Sequence, residues 1–179
     1  ELIEKNASGS ARLSPEGNYA YWYDARDSSW VAYDLKTKAK INLTAAIPVP
    51  FYDEIHDSPS LPSSYGAAGW LEGDASFLIN DRFDLWKVDP RNPAAAQNIT
   101  GGEGRRTQNA FRRERLKVDE VAIDPKEPLI LSGFDEVTKK SGFFAASIQG
   151  KALPKELLFS AHLNYGIRKA ENSSQLLFR

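Results

Sequence analysis

Short stretches of aromatic and aliphatic residues alternate with polar turns over the first part of the chain. Residues 19–23 are rich in Tyr and Trp, which favour a pleated, half-buried surface. The preceding Pro-Glu-Gly of residues 15–17 offers a fixed φ followed by a residue free to take φ > 0, as a tight reversal requires. Polar reversals at residues 24–28 and 36–38 then bound two further short strands. Short strands with closely spaced reversals are typical of an all-β sandwich or propeller, not of βαβ units.

The same pattern returns 56 residues later. Three pairs of residues keep the offset: Gly17 and Gly73, Trp30 and Trp86, and Thr44 and Thr100. Recurrence of one supersecondary unit indicates a repeat architecture. The sequence therefore predicts that each repeat forms a four-stranded antiparallel sheet.

Two weaker copies follow. Residues 121–123 are expected to form the first strand of a third copy, whose later strands follow the Asp-Pro-Lys-Glu-Pro turn of residues 124–128. A fourth copy is expected to start at residues 165–167 and to turn at residues 171–174. The prediction is an all-β partial β-propeller, with about three four-stranded antiparallel blades plus the start of a fourth, over residues 11–44, 67–100, 116–160 and 165–179. We expect residues 1–179 to be a fragment of one propeller domain, since the chain begins at Glu1 and ends inside a repeat.

Composition narrows the class of partner. The chain has 23 basic and 24 acidic residues, a balance that gives no general attraction to nucleic acid or to an anionic membrane. It contains no cysteine, which excludes disulfides and thiolate metal sites. No apolar run approaches the roughly 18 residues of a membrane-spanning helix.

Two segments between the copies do not follow the repeat. Residues 45–65 contain four prolines and several aromatic residues, so regular structure is not expected there, whereas packing of the aromatic side chains is. Residues 101–116 open with Gly-Gly-Glu-Gly and are arginine-rich, which predicts a loop, and long loops are where function is usually located. Arg112, Arg113 and Arg115 are candidate substrate-binding residues, because guanidinium groups pair well with carboxylates. The alternative is a solvated strand or loop whose charges face water.

Other candidate groups point to structure more than to chemistry. Asp53, Glu54, His56 and Asp57 have metal-ligand side chains, but their spacing matches no recognisable site, so no metal and no cofactor are predicted. Their alternative role is to cap turns and to pair with arginines. The four tryptophans, Trp22, Trp30, Trp70 and Trp86, suit sugar stacking or a core, and the apparent repetition of one pair favours the core. The Asn-x-Thr sequences at Asn42 and Asn98 recur with the repeat and therefore argue little for glycosylation.

Several of these segments carry a family resemblance. The Leu-Ser-Pro-Glu-Gly of residues 13–17 and the Asn-x-Thr endings resemble the repeats of TolB-type propellers. Four further stretches are similar to the N-terminal propeller region of bacterial prolyl-oligopeptidase-family serine peptidases: residues 49–54, 65–70, 81–86 and 124–125. The resemblance extends over most of the chain, from about residue 13 to residue 144.

That resemblance implies a propeller that caps an α/β-hydrolase domain with a Ser, Asp and His triad. No G-x-S-x-G sequence occurs here, and the only histidines are His56 and His162, so the chain is predicted to lack the catalytic domain and to be inactive by itself. Its implied role is to gate and position peptide substrates for the missing hydrolase domain. The resemblance also implies a periplasmic or secreted location, and incomplete closure predicts self-association through exposed blade faces.

Two alternatives remain open at this stage. A stand-alone TolB-like protein-interaction propeller would carry the same repeats. A glycan-binding or glycan-cleaving propeller is disfavoured, because neither an Asp-box nor a close pair of catalytic carboxylates is evident.

Overall fold

A computed structural model describes residues 10–179, and the fold over that range is all-β. It contains three four-stranded sheets, in each of which the strands lie side by side in chain order, and one two-stranded hairpin. The prediction of short antiparallel strands is confirmed. Within the described range, no helix is both long and apolar enough to span a membrane.

The first sheet matches the pattern expected from its aromatic residues and turns. Its strands are β1 (Arg12–Leu13), β2 (Tyr19–Asp24), β3 (Ser29–Asp34) and β4 (Lys40–Asn42), and each pairs antiparallel with the next. Gly17 has φ of 72°, and its N–H donates to the carbonyl of Ser14 at 2.9 Å. The predicted reversal is therefore present, and it uses the conformation that glycine adopts without strain.

The second sheet contains β5 (Ala67–Trp70), β6 (Phe77–Asn80), β7 (Leu85–Val88) and β8 (Gln97–Asn98). A short 3-10 turn at Glu72–Asp74 joins the first two strands, with Gly73 at φ of 67°. Glycine at this position matches Gly17 in the first sheet, as the sequence offset predicts.

The third sheet corrects the sequence analysis. Its strands are β9 (Asn109–Arg113), β10 (Leu129–Asp135), β11 (Ser141–Ala146) and β12 (Lys155–Ser160), preceded by a one-turn helix α1 (Glu103–Thr107). The first strand predicted at residues 121–123 is wrong, and so is the prediction of a continuous loop over residues 101–116. Phe111 is 1% exposed and lies opposite Gly133 on β10, whereas Val121 is 76% exposed. Ile123 is also buried, at 3% exposure, but it lies outside the four strands of this sheet, so burial alone does not identify the first strand.

The hairpin at the end of the chain contains β13 (Arg168–Lys169) and β14 (Leu176–Leu177), which pair antiparallel. Its turn spans the predicted reversal at residues 171–174. The first strand, predicted at residues 165–167, lies slightly later in the chain.

The described residues form two compact units. The first unit holds the residues up to Arg82 together with Trp86–Gln97, and the second holds Phe83–Leu85 together with Asn98–Arg179. The core of the first unit is largely aromatic and includes Tyr19, Trp30, Phe51, Trp70 and Phe77. Tyr19 stacks on Trp70 at 5.4 Å between ring centroids.

The tryptophans belong to the core, as expected, but Trp30 and Trp86 are not at equivalent positions of the two repeats. Trp22, Trp30 and Trp70 are buried, and Trp86 is partly buried against the core of the first unit. The backbone N–H of Trp30 donates to Thr44 Oγ1 at 3.1 Å. In the second repeat the corresponding donor to Thr100 Oγ1 is the backbone N–H of Leu85, also at 3.1 Å. Leu85, not Trp86, therefore matches Trp30. A shift of one residue reverses the face of a strand on which a side chain lies.

Candidate functional site

The three arginines predicted to bind substrate are all engaged within their own chain. Arg112 Nη1 donates to the carbonyl of Phe111 at 2.7 Å, and Arg113 Nη2 pairs with Glu120 Oε1 at 2.5 Å. Arg115 donates to the backbone carbonyls of Lys117, Val118 and Glu120 at 3.1, 2.7 and 2.6 Å. Arg113 and Arg115 bond to the loop after β9, and Arg112 bonds to β9 itself, so a ligand carboxylate would have to displace these internal acceptors.

Arg113 also lines a groove of about 340 Å³ in the second unit. The side chains of the Arg113–Glu120 pair are only 9% and 15% exposed. Lys117 and Glu127, also in the groove, pair at 3.1 Å, and hydrogen bonding to that carboxylate raises the pKa of Lys117. The described lining of the groove contains three cations and four carboxylates, so it has little preference for an anionic ligand.

The proline-rich segment of residues 45–65 is anchored without regular strands, as the sequence predicts. Phe51 is buried at 2% exposure, and an isolated bridge links Tyr52 to Ser64. The Tyr65 hydroxyl donates to Asp53 Oδ1 at 3.1 Å and accepts the N–H of Glu54 at 2.7 Å. Burial raises the pKa of Tyr65 to about 12, so the phenol stays protonated and keeps donating to Asp53.

The tip of this segment brings a serine and a histidine together, but not as a nucleophile and its base. His56 Nε2 lies 3.0 Å from Ser58 Oγ and 2.8 Å from the carbonyl oxygen of Ser60. A carbonyl only accepts hydrogen bonds, so Nε2 carries a proton and has no lone pair with which to activate Ser58. No group of three or more His, Asp or Glu side chains within residues 10–179 is arranged to hold a metal ion.

A larger cleft, of about 700 Å³, lies in the first unit. One wall is aromatic and contains Tyr21, Trp22, Tyr23, Trp30 and Phe77. Four of these rings pack in pairs: Tyr21 with Phe77 at 4.8 Å between ring centroids, Tyr23 with Trp30 at 5.6 Å, and Trp30 with Phe77 at 5.4 Å. We call this cavity the aromatic cleft.

The opposite wall of the aromatic cleft is made of small residues. Gly66, Ala67, Ala68 and Gly69 line it, with Leu61 and Pro62 of the proline-rich segment also in the lining. Strand β5 is the outermost strand of its sheet, and a Cβ placed on Gly66 would meet no atom within 4 Å. Small side chains at this part of the lining leave space for a ligand in the cleft.

Arg12 is the one charged residue among the described residues that line the aromatic cleft. It is exposed on β1, and its guanidinium has no hydrogen bond or ion pair with any residue of the described range. The contrast with Arg112, Arg113 and Arg115 is direct, since each of those guanidinium groups already has an acceptor. Of these arginines, Arg12 is the one available to an external carboxylate.

Comparisons with protein-family models, with curated proteins and with solved structures found no match to this chain. The sequence analysis missed Arg12 and the aromatic cleft, because the two walls come from distant parts of the chain. The one local signal was the Gly-Ala-Ala-Gly run of residues 66–69, which leaves an edge strand without large side chains.

Proposed function

We propose that this chain is the non-catalytic propeller segment of a prolyl-oligopeptidase-like serine peptidase. In this role it gates and positions peptide substrates for a hydrolase domain that residues 1–179 do not contain. Three consecutive four-stranded antiparallel sheets, each with its strands in chain order, are the observation that carries the proposal. A propeller blade is a sheet of this kind. The inter-repeat stretches at residues 49–54, 65–70 and 81–86 supply the link to the peptidase family by resemblance.

The proposed role is selective rather than chemical. A ring of blades around a channel admits short, extended peptides and excludes folded proteins from a buried catalytic serine. The protonated Nε2 of His56 is consistent with this division of work, because the Ser58–His56 pair cannot start a nucleophilic reaction. A periplasmic or secreted location and self-association through exposed blade faces remain predictions that follow from the propeller interpretation.

A serine-directed fluorophosphonate probe tests the proposal on the gene product that contains this sequence. We expect the probe to label one serine outside residues 1–179, and the purified 179-residue chain to remain unlabelled and to leave a chromogenic prolyl peptide intact. A gene product that is folded but unlabelled would overturn the peptidase proposal and favour a TolB-like interaction propeller. Labelling of Ser58 or of any other serine in the 179-residue chain would contradict its non-catalytic role.

A further inference from the structure

We propose that the aromatic cleft binds the carboxyl-terminal end of a short apolar peptide, with the guanidinium of Arg12 pairing with the terminal carboxylate. The choice of peptides as the ligand class rests on the proposed function. The position of the site and its preference for a carboxylate rest on the cleft alone.

The size of the cleft suits such a ligand. Its volume of about 700 Å³ lies within the range of roughly 300–1,000 Å³ that is usual for small-molecule sites. A mostly apolar lining with one well-placed charged group is also the common composition of such sites.

The two walls recognise different parts of a peptide. The aromatic rings of Tyr21 and Tyr23, both only partly buried, offer flat surfaces to aliphatic side chains or to a proline ring. The small side chains of residues 66–69 leave room beside the aromatic rings for an extended peptide backbone.

Charge complementarity selects the end of the peptide. The described lining contains one cation, Arg12, and no Asp or Glu, so a carboxylate meets attraction without repulsion. A guanidinium can hold a carboxylate through two parallel hydrogen bonds. A free amino terminus would find no acidic partner among the described residues of the cleft.

Calorimetric titration of the 179-residue chain with N-acetyl-Ala-Pro-Leu tests the proposal, using the free acid and its carboxyl-terminal amide as matched probes. We expect the acid to bind at least about tenfold more tightly than the amide, a difference equivalent to one modest ion pair. In Arg12→Ala the acid should weaken to the level of the amide, whereas Arg12→Lys should retain part of the difference. Arg168→Ala removes an exposed arginine from the second unit and serves as the matched control, with no change expected.

A second variant tests the cleft without altering its charge. Ala67 is exposed and lines the cleft, so Ala67→Trp should fill it and abolish binding of both probes while near-ultraviolet circular dichroism stays native. Equal binding of acid and amide, binding unaffected by Arg12→Ala, or no binding by the folded wild-type chain would each overturn the inference. None of these results bears on fluorophosphonate labelling of the gene product, so the two proposals fail separately.

Discussion

The first two repeats close their sheets in the same way. In each, the Thr N–H of Asn-x-Thr donates to the Asn side chain at 3.0 Å, and the Thr hydroxyl oxygen accepts a third-strand N–H at 3.1 Å. The residue between them, Leu43 or Ile99, is fully buried. The sequons therefore recur because Asn and Thr hold the fourth strand on the third.

The repeats differ at the residue before the matched donors Trp30 and Leu85. The first has Ser29, whose buried hydroxyl has no hydrogen-bond partner among residues 10–179. The second has Asp84, 1% exposed, which accepts hydrogen bonds from Thr100 Oγ1 at 2.6 Å and from the N–H groups of Gly104 and Arg105 at 3.0 Å. Asp84, the residue immediately before β7, thus caps the first turn of α1. One changed side chain at a repeated position fixes a helix that the first repeat does not have.

A second difference lies in the turns at Gly17 and Gly73, where the next residue is Asn18 in one repeat and Asp74 in the other. Asp74 is 3% exposed and accepts four hydrogen bonds from the first turn: from Ser14 Oγ, from the N–H of Glu16, and from the N–H and Nδ2 of Asn18. The two turns are therefore not interchangeable. The second turn supplies the acceptor, and the first supplies the donors.

Replacement of that acceptor should have the largest effect. We expect Asp74→Ala to lower the free energy of unfolding of the first unit by about 3 kcal/mol, because four donors lose one buried acceptor. All four tryptophans belong to this unit, so their fluorescence during urea unfolding reports the change. Asn18→Ala removes only one side-chain donor and should cost about 1 kcal/mol. If Asp74→Ala lowers the free energy of unfolding by less than the roughly 1 kcal/mol expected for Asn18→Ala, other contacts hold the turns.

Asp84 and its counterpart Ser29 provide the next comparison. Asp84→Ala should destabilise the second unit by about 2–3 kcal/mol and expose the Gly104 and Arg105 amides to hydrogen exchange. Ser29→Ala should stay within about 0.5 kcal/mol of wild type, since it removes a hydroxyl that has no partner. Comparable losses for the two variants would contradict the distinct role assigned to Asp84.

A smaller difference in stability is expected between variants of the two closing threonines, Thr44 and Thr100. Thr44→Val and Thr100→Val both remove the acceptor for a third-strand N–H, at a cost of about 1 kcal/mol. Thr100→Val should cost about 1 kcal/mol more, because it also removes the bond donated to Asp84. In an Asp84→Ala background this extra cost should disappear, which a double-mutant cycle measures.

The smallest effect concerns the aspartates at the ends of the third strands: Asp34 is the last residue of β3, and Asp89 follows β7. Backbone N–H groups, led by that of Thr37, lower the pKa of Asp34. At Asp89 burial acts to raise the pKa, but hydrogen bonds from Arg91 outweigh it and lower the pKa. In Arg91→Ala we therefore expect the pKa of Asp89 to rise and that of Asp34 to stay unchanged, as followed by carboxyl NMR titration.

The same shifts set the pH dependence. A carboxyl group with a lowered pKa in the folded state adds stability above its ordinary pKa and loses it as the pH falls through the lowered value. The stability difference between wild type and Arg91→Ala should accordingly be present near neutral pH and vanish in acid. If wild type stays more stable than Arg91→Ala at a pH below both the folded and the unfolded pKa of Asp89, Arg91 stabilises the turn by packing.

Much of the fold could be predicted from local sequence patterns. The aromatic alternation of β2 and the Pro-Glu-Gly turn before it are local, so both were predictable. Strand β9 was not, because its arginines look like a solvated loop. Phe111 pairs in register with Gly133 and packs against Phe144, both of which lie outside any short sequence window around it. Asp74 and Asp84 escaped notice for the same reason, as most of their donors lie 16 to 60 residues away.

Asp84 also has a consequence for protein engineering. An aspartate just before the third strand of one repeat accepts hydrogen bonds from the first turn of an added helix, while the Asn-x-Thr closure beside it stays intact. Ser29 occupies the equivalent position in the first repeat, where no such helix follows. A designer who places aspartate there and grafts Gly-Gly-Glu-Gly-Arg-Arg-Thr after Thr44 would be copying an insertion that this chain already tolerates.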